Sequence, residues 1–251
     1  PPPPTLIPYT TLFRSTRWNS CVHTSRVPAH YITGSVSKPD WPSIESSITA
    51  ASGTLFSIKW KTSIGGGCIN SAFRISNGSR DYFVKCNRSE LLPMFEAEMA
   101  ALQEMVSAGA IRVPRPVCTG ESGGSSWLVL EYIAFGGGAA KSQALAGEQL
   151  AQMHRKTADA FGWKRDNTIG STPQLNDWNS SWIDFWRDQR LGYQLQLAGH
   201  QGNLQRPGEN LLESFHLLID HAPQASLLHG DLWGGSIGYD DSGKPVIFDP
   251  A

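Results

Sequence analysis

Cysteine is scarce and scattered: Cys21, Cys68, Cys86 and Cys118 stand apart, and no CxxC pair occurs. That spacing excludes the usual structural zinc pattern and a small secreted disulfide framework, so a reducing cytoplasm is the expected setting. No histidine cluster has metal-ligand spacing either. Charge of one sign is also lacking, since 21 Lys and Arg against 22 Asp and Glu leave a net charge of −1. Such a surface has no bulk attraction for nucleic acid or an anionic membrane, and the expected partner is a small molecule or a protein. No apolar run nears the roughly 18 residues of a membrane helix. The N-terminus has no basic stretch leading into an apolar one, so secretion has no support. The first methionine is also late: the chain opens on Pro1 to Pro4, and residues 1–40 show neither helical nor strand period. They read as a leader, a disordered tail or an artefact. The stop at Ala251, just after a strand-like stretch, reads as a C-terminal truncation.

What is present is enough apolar residue, 40% of 251, to fill one domain or two lobes sharing a cleft. Trp41, Ile44, Ile48 and Ala51 recur at helical spacing and Ser52-Gly53 closes them, predicting a short helix. LFSIKWKTSI (55–64) reads as a strand, Gly65-Gly66-Gly67 as a turn, and Ala72 to Ser76 as a second strand. Asn77-Gly78 is a hairpin signal leading into RDYFVKC (80–86), the third strand of an antiparallel meander. Residues 91–107 predict a helix with Phe95, Met99, Leu102 and Val106 on one stripe. Residues 108–116 leave that helix through Gly109 and two prolines, and WLVLEYI (127–133) reads as a buried strand. Gly136 to Gly138 form a flexible joint, which sets lobes of 41–135 and 136–251. Beyond it the pattern is helical at 143–154, 182–198 and 211–221, with a long polar loop over 162–180. Loops of that length are functional or disordered, and its tryptophans favour function. Strand-like pieces at 227–228 and 246–248 flank HGDLWGGS (229–236).

A small β-lobe, a joint and a helical lobe with an aspartate on a loop is the layout of the protein-kinase-like fold, and its chemistry needs parts that spacing can locate. Gly65, Gly66 and Gly67 sit where backbone N–H groups approach nucleotide phosphates without Cβ obstruction. Lys85 lies on the third strand, where a lysine reaches the phosphates. The next helix must hold that lysine with a carboxylate. Glu98 falls inside the apolar arc, where a glutamate needs a cationic partner, whereas Glu96 lies outside it and stays a second candidate. Glu131 and Ile133 belong to the strand entering the joint, whose backbone is placed to meet adenine. Asp231 can accept the proton of an attacking hydroxyl. Asp249, at the next strand's end, stands where a magnesium ligand belongs. His229 reads as a loop brace and His154 as a packed helix residue.

These residues resemble the fructosamine kinases, or ketosamine-3-kinases, kin to the aminoglycoside phosphotransferases. GGGCIN, YFVK, MFEAE, RVPRP, NTIGSTPQ, WIDFWRDQRL, HGDLWGG and FDPA all look like family signatures, over Trp41 to Ala251. The resemblance implies an α+β two-lobe fold and ATP- and Mg²⁺-dependent phosphorylation of a ketoamine at its 3-hydroxyl, on fructosyl or ribulosyl adducts of amines. By it Asp231 is the base, Asp249 a magnesium ligand, Lys85 a phosphate clamp and Glu98 its partner, while Asn167, Thr168, Gln174, Trp182 and Trp233 line the sugar site. Where the family carries Asn after HGDLW-x-G, this chain has Ser236. A hydroxyl is a shorter and poorer ligand, so a second metal position at Ser236 and the turnover are expected to be weakened. Helices that the family adds after DPA are absent here. Cys68, beside the glycines, is a candidate for oxidation or a redox-linked dimer. The rival readings are a kinase for another small hydroxylated substrate, of aminoglycoside or choline type, and a catalytically impaired nucleotide- or sugar-binding relative.

Overall fold

The structure, a computed structural model, describes residues 38–65, 69–138, 140–199 and 205–251. Residues 1–37, and Gly66, Gly67 and Cys68 with their expected roles in phosphate binding and dimer formation, lie outside the described residues. Helix α1 (Trp41–Ser52) starts at Asp40, whose side chain caps Ser43 N at 3.3 Å, and ends at Gly53 in the left-handed conformation, φ 65°. The sheet follows: β1 (Trp60–Ile64), β2 (Ser71–Ser76), β3 (Asp81–Arg88), β4 (Pro116–Ser122) and β5 (Ser125–Glu131), antiparallel in the order β1-β2-β3-β5-β4.

Two features differ from the sequence reading. The first strand is shorter at its start, because α1 side chains take the backbone of residues 56–58: Phe56 N donates to Thr49 Oγ1 and Ile58 N to the Glu45 carboxylate. The edge strand β4 was not foreseen. Its sequence, PVCTGES, carries Pro116 and Gly120, which weaken any strand signal.

Alternation along the central strands separates two apolar clusters. Val84, Cys86, Trp127 and Val129 point to the α1 side with Ile44, Ile48 and Phe56. Leu128 and Leu130 point the other way, with Phe83 alongside, to α2 (Leu92–Ala108), where Phe95, Leu102 and Met105 are buried. Val106, expected on that stripe, is exposed, and Met105 takes the inner place. Being next to Val84 and Cys86 in a pleated strand, Lys85 faces α2. Met153 of α3 (Ala140–His154) and Ile247 close the same cluster, so the core under α2 continues into the helical part.

That part departs from three simple helices. Residues 182–198 form α4 (Trp182–Trp186), a π-helical stretch Arg187–Gly192, and α5 (Tyr193–Ala198). Helix α6 (Gln205–Ser214) begins earlier than expected. The polar loop holds a hairpin, β6 (Asn167–Ile169) with β7 (Thr172–Gln174). A second hairpin pairs β8 (Ile237–Tyr239) with β9 (Pro245–Ile247), whereas residues 227–228 form no strand. His154 is exposed rather than packed. Among the described residues no helix is long and apolar enough to cross a membrane.

Candidate active site

Lys85 is the centre of the site. Its ammonium donates to Glu98 Oε1 at 2.6 Å and to Asp249 Oδ1 at 2.7 Å. The Lys85 and Glu98 side chains are 9% and 10% exposed, while Asp249 is 53% exposed, so one carboxylate anchors the lysine and the other sits at the cleft surface. Burial opposes the Lys85 charge, but the two carboxylates outweigh it and hold its pKa above the ordinary lysine value. Burial pushes the Glu98 carboxyl up, against the pull of Lys85. The second candidate, Glu96, instead faces outward and pairs with Arg165 at 3.4 Å.

His229 ties the turn at 229–236 to the segment after β9 by two hydrogen bonds and braces the turn internally by a third. Buried His229 donates from Nε2 to Phe248 O at 2.9 Å, its Nδ1 accepts from Asp231 N at 3.4 Å, and Ala251 N donates to His229 O at 2.9 Å. Burial lowers the His229 pKa, in keeping with the neutral ring these contacts require. His229 is thus the loop brace expected. Gly230 has φ 87°, and a Cβ there would stand 2.0 Å from Ala251 O. Asp249 itself is the non-glycine residue with positive φ among the described residues, at 59°. That backbone cost is characteristic of functional positions.

Asp231 and Asp249 line one cavity of about 180 Å³ with Lys85, Glu98, Asn167 and Thr168, and with Asn70 from the glycine-rich stretch. Asn70 was not singled out from sequence. Its orientation is set by Asn87, buried on β3. Arg88 N donates to Asn87 Oδ1 at 2.8 Å, so Asn87 Nδ2 must donate, to Ile69 O at 3.0 Å and Asn70 Oδ1 at 2.7 Å. The Asn70 amide therefore turns its donor end away from Asn87.

The remaining expected site residues stand elsewhere. Gln174 does not line the cavity but donates to Asn167 Oδ1 at 2.9 Å. Trp182 packs on Phe161, with ring centroids 5.0 Å apart, and stacks with Phe185 at 6.2 Å. Trp233 is 65% exposed, and neither tryptophan is part of the lining. Ser236 is buried, its backbone bonded to Trp233 O and Phe248 N, and its side chain does not reach the lining. Glu131 accepts from Arg112 at 2.9 Å and from Arg115 N at 3.2 Å, and Ile133 is buried. Gly65 follows β1 outside the lining.

Asp249 supplies a hard oxygen donor facing the cleft, which suits Mg²⁺ completed by phosphate oxygens and water. Among the described residues no group of three or more His, Cys, Asp or Glu gathers to hold a metal alone.

A β-lobe lysine ion-paired to a helix glutamate, above a loop aspartate and a strand-end aspartate, defines a protein-kinase-like phosphotransferase. Comparison narrows the class: the fructosamine kinase family pattern matches residues 40–251, and the chain belongs to that family. It is 44% identical over 213 residues to "Probable ketoamine kinase" of Synechocystis, covering 84% of this chain and 72% of that one. It is 45% identical over 196 residues to the chloroplastic protein-ribulosamine 3-kinase of Arabidopsis thaliana, covering 75% of this chain but 60% of that protein. The crystal structure of "Putative fructosamine-3-kinase" from Haemophilus somnus 129PT superposes with a TM-score of 0.77 at 30% identity, covering 84% of this chain and 72% of that one. An aminoglycoside phosphotransferase shares the fold, with a TM-score of 0.54 at 14% identity.

Proposed function

We propose that this protein transfers the γ-phosphoryl group of ATP to the 3-hydroxyl of a ketoamine, a fructosyl or ribulosyl adduct of an amine, as a deglycation step. The observation that carries this reading is Lys85, held between Glu98 and Asp249 in the cavity that Asp231 also lines. Residues 41–135 form the nucleotide lobe and 136–251 the substrate lobe, working in the cytoplasm. Lys85 offsets charge on the nucleotide phosphates, and the Asn70 amide, which lines the same cavity, donates to them. Asp249 would hold Mg²⁺, which when bound neutralises charge on the transferring phosphoryl group. Asp231 orients the sugar hydroxyl and takes its proton as the new O–P bond forms and ADP leaves. A positioned base of this kind contributes about 10²- to 10⁴-fold in rate.

The signature hairpin β6–β7, one strand of which lines the cavity, favours a ketoamine over an aminoglycoside or choline. The test is ATP consumption with fructosyl-lysine, ribulosyl-lysine and an aminoglycoside, with mass spectrometry of the products. Phosphorylation of a ketoamine at the 3-hydroxyl is the expected result. Turnover of the aminoglycoside alone, or of none of them, refutes the reading.

A further inference from the structure

The hairpin's amide orientations are fixed from a distance. Arg190, in the π-helical stretch, donates from Nη2 to Asn176 Oδ1 at 2.6 Å and from Nη1 to Leu175 O, with its guanidinium 4.5 Å over the Phe185 ring. A guanidinium has donors and no acceptor, so the Asn176 atom facing it must be oxygen. Burial lowers the Arg190 pKa to about 10, which leaves it charged at neutral pH. Asn176 is 3% exposed, and its Nδ2 donates to Arg165 O at 3.1 Å and to Asn167 Oδ1 at 2.8 Å. Because a carbonyl accepts and never donates, Arg165 O enforces the same orientation from the other side. Asn167 Oδ1 then receives two donors, from Asn176 and from Gln174 at 2.9 Å. The Asn167 NH₂ is what remains for the cavity that this residue lines.

We infer that Asn176 and Arg190 are positioning residues that fix the Asn167 amide with its donor end toward the cleft, where it selects an acceptor oxygen of the bound sugar. This rests on the ketoamine reading and adds to it a chemical requirement. The sugar presents a lone pair to Asn167, as a ketone or ether oxygen does. Two donors on one carbonyl also polarise that amide and strengthen its NH₂ as a donor.

Asn176→Asp tests the relay without removing the Arg190 contact, since a carboxylate still accepts from the guanidinium. It replaces the Nδ2 donor with an oxygen that repels Asn167 Oδ1, so the Asn167 amide turns over and offers an acceptor to the cleft. The expected result is a rise of about tenfold in KM for fructosyl-lysine, the scale of one lost hydrogen bond, with KM for ATP within about twofold of the parent. Asn167→Asp, which leaves Asn176 and Arg190 untouched, carries the same expectation and decides the matter if Asn176→Asp lowers the melting midpoint. A ketoamine KM within about twofold of the parent in Asn167→Asp, or an ATP KM that rises in step, overturns the inference. A parent that turns over no ketoamine refutes the functional reading, and this inference falls with it.

Discussion

Lys85→Met isolates the ion pair on which the site is built. Two unit charges 2.6 Å apart attract by roughly 6 kcal/mol at an effective dielectric of about 20, but bringing each ion out of water costs several kcal/mol. The intact pair is therefore close to neutral for stability. Removing one partner is different, since Glu98 would remain 10% exposed with no cation beside it. The expected loss is about 3–5 kcal/mol. Glu98→Leu costs less, because Lys85 keeps Asp249, whose half-exposed carboxylate contributes no more than about 1 kcal/mol through solvent. The double variant Lys85→Met/Glu98→Leu recovers most of the loss, giving a coupling of about 3 kcal/mol or more.

Urea unfolding at pH 8 and pH 5 measures all four proteins. In Lys85→Met the unpaired Glu98 has a folded pKa raised above its unfolded value. Its stability is therefore greatest below the unfolded pKa and falls as pH rises through the folded one. The Lys85→Met deficit must shrink at pH 5. Additive single variants, or a pH-independent deficit below about 1 kcal/mol, would refute the buried-pair account.

Gly230→Ala puts a Cβ 2.0 Å from Ala251 O at φ 87°, so the turn must shift. We expect about 2 kcal/mol of lost stability and about 10²-fold lower kcat, read by thermal melting and steady-state rates. In acid, stability declines in two steps. His229 is held below its ordinary pKa by burial, so its contribution is complete above about pH 6.5 and is lost as pH falls below that. Asp240, held at about 2 by Ser242, the Lys244 N–H and Arg112, contributes above about pH 4 and loses this as pH falls toward 2. Urea midpoints across that range check both steps, and Asp240→Asn should shrink the second, to which Asp40, Asp81 and Asp188, also held low by hydrogen bonds, contribute. Burial pushes the Cys86 and Cys118 thiols up to about 12, leaving only about 10⁻⁴ as thiolate near pH 8. Peptide mapping after alkylation should find both unlabelled in the native protein and labelled in urea.

The Lys85–Glu98 contact was legible because two periods agree. Strand alternation turns Lys85 toward α2, and the helical repeat puts Glu98 rather than Glu96 inside the apolar face. That Asp231 and Asp249 share a cavity was legible from the strand that leads into Asp249, and the contact of Asp249 with Lys85 adds to the packing of Met153 and Ile247 that joins the two halves. Strand β4 was hidden by its own proline and glycine, and the π-helical break at Arg187–Gly192 has no proline to announce it. The tryptophans were ambiguous for a different reason. Aromatic side chains suit both a sugar face and a core, and Trp182 joins Phe161 and Phe185. Asn87, Asn176 and Arg190 act through side-chain bonds between segments up to 18 residues apart, which no local pattern encodes.

The most direct test is kcat for ATP-dependent phosphorylation of fructosyl-lysine by the parent protein and by Asp231→Asn, with KM for ATP measured alongside. The predicted result is an active parent and a variant slower by about 10²- to 10⁴-fold, with KM for ATP within about twofold. A variant that retains the parent's rate would contradict the assignment of Asp231 as the proton acceptor, and with it the cleft as the site of transfer.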